Sequence, residues 1–167
     1  MKIIIRVSLL LVALLAVSLL LYGSYRVWVT WRVFSPREVT AVDDWPYAIK
    51  EVLNKLGDKA VQRTEAYKVG GFTDQQFFWL IELVDPTRSA EVCSALEVTQ
   101  TKPSSFLTAA IHNSSKPSWW SPDLGEETQY YLSDGFDLST RGADGEHFLV
   151  LVENDTGRIF VWQKSNF

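Results

Sequence analysis

The sequence predicts an α+β protein: an N-terminal single transmembrane helix, then one small domain with an antiparallel sheet and two or three helices. Three observations carry this expectation. Positions 7–25 hold no charged residue, the stretches 76–84 and 147–163 carry the apolar patterns of strands, and no regular strand–helix–strand alternation appears. The 167 residues, 47% hydrophobic and 22% charged, suit one globular domain rather than a multidomain enzyme or a long disordered chain. One cysteine excludes a disulfide framework and any multi-cysteine zinc site. With only two histidines, no metal or other cofactor is expected.

The net charge of −4 hides a division along the chain. Positions 1–37 contain Lys2, Arg6, Arg26, Arg32 and Arg37 and no acidic residue. Removing those five from the 16 basic residues leaves 11 against all 20 acidic ones, a net −9 over the last 130 residues. Phosphate backbones bind basic faces, so nucleic acid is not an expected partner.

Taking the elements in order, Val7–Leu21 is almost wholly Leu, Val and Ala, and the uncharged run continues to Tyr25. As a helix it spans roughly 28 Å, close to the hydrocarbon thickness of a bilayer, so the lipid bilayer is the expected partner of residues 7–25. A cleaved signal peptide has the same basic start and apolar middle, but residues 20–26 (Leu-Leu-Tyr-Gly-Ser-Tyr-Arg) lack the paired small residues that signal peptidase reads. The expectation is therefore an uncleaved anchor over residues 1–34. Tyr22, Tyr25, Trp28, Trp31 and Phe34 recur at every third position, which on a helix sweeps about 240° and suits a belt at the headgroups better than one packed face. The competing reading makes residues 27–34 a short strand or linker. Basic residues flank the run on both sides, and a short basic start before an apolar segment favours a cytoplasmic N-terminus with the acidic domain outside the cytoplasm. The sequons at Asn113 and Asn154 are short enough to arise by chance.

Residues 35–43 are expected to be a linker and 44–167 the soluble acidic domain. Ile49, Val52, Leu53 and Leu56 have helical spacing, with Gly57 as the stop. Residues 60–69 and 76–84 read as two paired strands around Gly70-Gly71, with Val61, Tyr67 and Val69 in phase. In the second strand, Phe77, Trp79, Ile81 and Leu83 share one face while Phe78, Leu80 and Val84 share the other. Only Glu82 interrupts burial on both sides, so a central position follows. Asp85-Pro86 opens a further helix with Val92, Cys93 and Leu96 inward, which makes Cys93 core filling rather than a nucleophile. At 103–111 two alternatives stand: Ser104 caps a short helix through Phe106, Ala109 and Ala110, or the run pairs as a strand. Residues 147–153 and 158–163 flank Asn154-Asp155-Thr156-Gly157, a hairpin signature.

For chemistry, no Gly-x-Ser-x-Gly elbow is present. Residues 134–147 place carboxylates beside glycines, material for a cation site, without the spacing of the twelve-residue calcium loop. Positions 123–155 hold nine acidic residues against Arg141 alone, which reads more simply as a solvated surface. The distinctive local feature is Trp119-Trp120, held between Pro117 and Pro122. Adjacent rings in extended chain point opposite ways, so burial of one leaves the other partly exposed to contact a protein or glycan partner. The expected role is a membrane-anchored, non-catalytic binding or interaction module outside the cytoplasm. The alternatives are a membrane-bound hydrolase of envelope carbohydrate or peptide, and a structural subunit of a membrane complex.

Overall fold

Helical propensity carries the first element without interruption through the whole aromatic segment, and α1 spans Lys2–Phe34, 33 residues or about 50 Å. A computed structural model describes residues 2–71, 74–137 and 145–166 of the chain. Two compact units appear, Met1–Ser35 and Pro36–Phe167. The alternative of a strand or linker at 27–34 is not what the chain adopts. Within α1, Leu14–Phe34 is long and apolar enough to cross a membrane, a property that a signal sequence shares. Two of its hydroxyls are bonded inside the helix, Ser18 Oγ to the Leu14 carbonyl and Thr30 Oγ1 to the Arg26 carbonyl, each at 2.9 Å. All five aromatics from Tyr22 to Phe34 are exposed on the helix surface. Tyr25 and Trp28 lie with ring centroids 6.3 Å apart, and the Arg32 guanidinium sits 5.4 Å from the Trp28 ring.

The second unit is a seven-stranded, wholly antiparallel sheet in the order β1-β2-β3-β7-β6-β5-β4. Its strands are β1 Arg37–Glu38, β2 Val61–Gly70, β3 Asp74–Leu83, β4 Val98–Thr101, β5 Thr128–Ser133, β6 Gly145–Glu153 and β7 Arg158–Asn166. Three helices accompany it: α2 Tyr47–Leu56, α3 Ser89–Ala95 and α4 Ser105–Asn113. The segment expected to be a linker instead supplies the edge strand, because Arg37 and Glu38 pair with Lys68 and Tyr67 and Val39 is buried.

Strand alternation sorts the apolar residues onto two faces, and each face has its own cover. Phe77, Trp79, Ile81 and Leu83 of β3, with Phe148, Val150 and Val152 of β6 and Ile159 and Val161 of β7, pack beneath α2 and α3. Phe78 and Leu80, with Leu149, Leu151, Phe160 and Trp162, pack beneath Leu107 and Ile111 of α4 and beneath Trp120. β3 is central, between β2 and β7, as its two-faced burial predicts. Gly57 ends α2 at φ 77°, its N–H donating to the Leu53 carbonyl at 2.9 Å. Asp85 caps the single turn before α3, accepting from the Thr87 N–H at 3.0 Å.

Two expectations need correction, and one open alternative is decided. Val61 packs on the face opposite Tyr67 and Val69, because the register shifts between Val61 and Arg63 and a bulge turns the strand over. Val84 lies past the end of β3 and is 63% exposed, so the second buried face stops at Leu80. Residues 105–113 take the helical alternative, with Ser104 Oγ accepting from the Leu107 N–H at 3.1 Å. The buried pair there is Leu107 and Ile111, four apart, whereas Phe106 is 70% exposed.

Candidate functional site

The sheet has an incompletely paired edge. β1 covers only the end of β2, at Tyr67 and Lys68, and the Val39 N–H adds one bond to the Ala66 carbonyl at 2.8 Å before the chain leaves the edge. The departure is pinned by the Trp45 indole N–H, which donates to the Val39 carbonyl at 2.7 Å. Antiparallel alternation then points the N–H and C=O of Thr64 away from β3, toward the uncovered side. Farther along, the bulge and the cluster of Arg63 with Glu65 and Glu82 protect the edge, as charges and bulges do on edge strands. The open stretch is therefore short, centred on Thr64, beside the Ala66 carbonyl that Val39 already occupies.

A groove of about 320 Å³ wraps over this stretch, lined by Glu38, Val39, Trp45, Thr64, Glu65 and Trp119, among others. Trp119 reaches it from the segment between α4 and β5, and its position follows from what holds Trp120. Trp120 is fully buried, edge-on to Phe78 at 5.0 Å and to Phe160 at 5.9 Å between ring centroids. The Lys116 ammonium stands 5.5 Å from the Trp120 ring and donates to the Ile111 carbonyl at 3.0 Å, and burial lowers its pKa. The chain is not extended here: Ser118 and Trp119 form a turn closed where the Trp120 N–H donates to the Pro117 carbonyl at 3.1 Å, and with Trp120 committed to the core that turn leaves Trp119 half-buried at the groove. The far end of the same segment is tied down where the Asp123 N–H donates to Glu153 Oε1 at 2.8 Å.

The remaining candidates are placed as follows. Cys93 is 6% exposed on the inner side of α3, and burial pushes its thiol up to about 11, the state of an inert core thiol. Of the segment 134–147, residues 138–144 lie outside the described residues. Asp134 and Asp137 are exposed, and His147 Nδ1 donates to the Asp134 carbonyl at 2.8 Å. Among the described residues, no group of three or more His, Cys, Asp or Glu side chains is arranged to hold a metal ion. The groove's other residues, Trp45, Thr64 and Glu65, went unmarked in the sequence because their meeting depends on where β1 stops along β2. Only the polar, imperfect alternation of 60–66 hinted at an edge.

Neither the family models, the curated proteins nor the solved structures compared with this chain give a match.

Proposed function

We propose that the chain is a membrane-tethered, non-catalytic binding module whose domain lies outside the cytoplasm and captures an extended segment of a partner protein along the open edge of β2. The observation that carries the reading is the groove at Thr64–Ala66, where outward backbone groups meet a half-buried tryptophan. An added strand bonds to the backbone while alternate side chains enter flanking pockets, and β1 already occupies the neighbouring positions of the same edge in that manner. Glu38 on the groove favours a partner strand that carries a basic residue. The length of α1 supports the tether: at about 50 Å the helix exceeds a hydrocarbon core of about 30 Å, enough to leave its aromatic end, Tyr22–Phe34, for the headgroups.

The test pairs the two tryptophans. Trp119→Ala lowers affinity for immobilised basic peptides of about six residues at least tenfold while lowering the melting temperature by less than half as much as Trp120→Ala does. Trp120→Ala removes a fully buried ring and costs roughly 3–5 kcal/mol, a drop of many degrees by thermal melt. Methylating alternate peptide nitrogens abolishes binding if the strand adds to the edge. Equal binding of methylated peptides, or binding of oligosaccharides instead, rejects edge pairing.

A further inference from the structure

A second concave site lies on the α2–α3 face of the sheet, at the end opposite the β6–β7 loop. Alternation that supplies Phe77, Val150 and Val161 to the core supplies polar side chains here: Lys68 from β2, Gln75 from β3, Ser165 from β7 and Glu146 from β6. Arg37, the register partner of Lys68, and Asp44 complete one wall. The cleft holds about 320 Å³, with buried Phe77 as an apolar patch on its floor.

Two features separate it from a solvated surface. Lys68 and Glu146, opposite in charge, line the same cleft yet form no ion pair with each other or with any other described residue. Burial, aided by nearby Arg37, lowers the Lys68 pKa, and burial raises that of Glu146 against the opposing pull of its hydrogen bond. Behind Glu146, Gln163 is fully buried, and its Nε2 donates to Glu146 Oε1 at 2.9 Å and to Ser165 Oγ at 3.2 Å. Both acceptors line the cleft, so Gln163 Nε2 braces two of its residues from behind, while Gln163 Oε1 is sealed from the cleft and has no hydrogen-bond partner.

We propose that this cleft binds a short zwitterionic peptide, its carboxylate toward Lys68 and Arg37 and its ammonium toward Glu146. The charge layout selects the class: two cations against Asp44 give one end a net positive charge, and Glu146 gives the other a negative one. Lys68 and Glu146 stand three strand spacings apart, roughly 14 Å between backbones, and their side chains take up part of that gap. An extended peptide of about two or three residues fills that gap at roughly 3.3 Å per residue, with Gln75 and Ser165 placed for its central amide. The volume sits at the lower limit for ligand pockets and favours small side chains. This site is separate from the Trp119 groove and does not depend on it.

The experiment is calorimetric titration of the full chain in lipid nanodiscs with dialanine and trialanine, each free, N-acetylated and C-amidated. The expected result is saturable binding of a free peptide, weakened about tenfold or more by capping either end. Glu146→Gln removes the penalty of acetylation alone, Lys68→Met that of amidation alone, and Trp119→Ala changes neither. Absence of saturable binding at millimolar peptide overturns the proposal. Equal binding of capped and free peptides overturns it as well, as does binding of phosphoethanolamine with no binding of either peptide. The capping comparison uses the wild-type chain, so it stands even if a variant fails to fold.

Discussion

The hairpin formed by β6 and β7 is tied off at its loop and open at its other end, although both ends bury polar side chains. At the loop, Glu153 is 4% exposed and fully engaged. It accepts from the Asp123 N–H at 2.8 Å, Thr156 Oγ1 at 2.9 Å and Arg158 Nε at 2.8 Å, and pairs with Arg158 Nη2 at 2.6 Å. Gly157 then turns at φ 68°, and its carbonyl accepts from the Leu83 N–H at 2.9 Å. At the open end, Gln163 is equally buried, but half of its amide has no partner. A buried polar group with every bond made fastens a structure, whereas one left incomplete fastens it less.

The comparison breaks first at Glu153. Glu153→Ala removes the anchor of Asp123 and the partner of Arg158, and the expected loss is about 3 kcal/mol by urea denaturation, at the low end for buried pairs because Arg158 stays one-third exposed. A loss below about 1 kcal/mol would mean that the loop end is no more fastened than the open one. Cys93 gives a pH signature of burial on the α2–α3 face. Its folded pKa of about 11 lies above the ordinary 9, so between those values the unfolded chain has lost the proton and the folded one has kept it. Stability then falls as pH rises through that window, by about 2–3 kcal/mol more in wild type than in Cys93→Ala. Parallel pH profiles for the two proteins would contradict the buried assignment. Gly157→Ala is expected to cost about 2 kcal/mol, since a Cβ there meets the Leu83 carbonyl oxygen at 3.0 Å and Pro86 Cγ at 3.2 Å while φ stays positive. An unchanged chemical midpoint would show that the turn relaxes freely.

The two ends also differ in how far the sequence revealed them. The Asn154–Gly157 turn between alternating apolar runs identified the hairpin, and the two-faced run Phe77–Leu83 identified a central strand, because both signals are local. The bulge after Val61 left no such signal, and one extra residue moved that side chain to the other face. β1 and β4, two and four residues long, owe their existence to partners about thirty residues away and carry too little pattern to read. Trp119-Trp120 stood out by composition, yet which ring is buried depends on Phe78 and Phe160, far along the chain. The polar end of the sheet was wholly illegible, since Lys68, Gln75, Glu146 and Ser165 meet only once four strands are in register.

The smallest expected effect separates the two ends most sharply. Gln163→Met keeps the length and nearly the volume of the side chain while removing its amide. Two hydrogen bonds are lost, to Glu146 and Ser165, each worth about 1 kcal/mol net. Against that, the unpartnered Oε1 disappears, which relieves roughly 1–3 kcal/mol, and Glu146 at the rim regains water. These contributions nearly cancel, so the variant should lie within about 1 kcal/mol of wild type, a fraction of the Glu153→Ala loss at the same depth of burial. A measured loss above 2 kcal/mol would show that Gln163 fastens the sheet as Glu153 does. The open end would then be as firmly fastened as the loop, and the contrast between the two ends of the hairpin would fail.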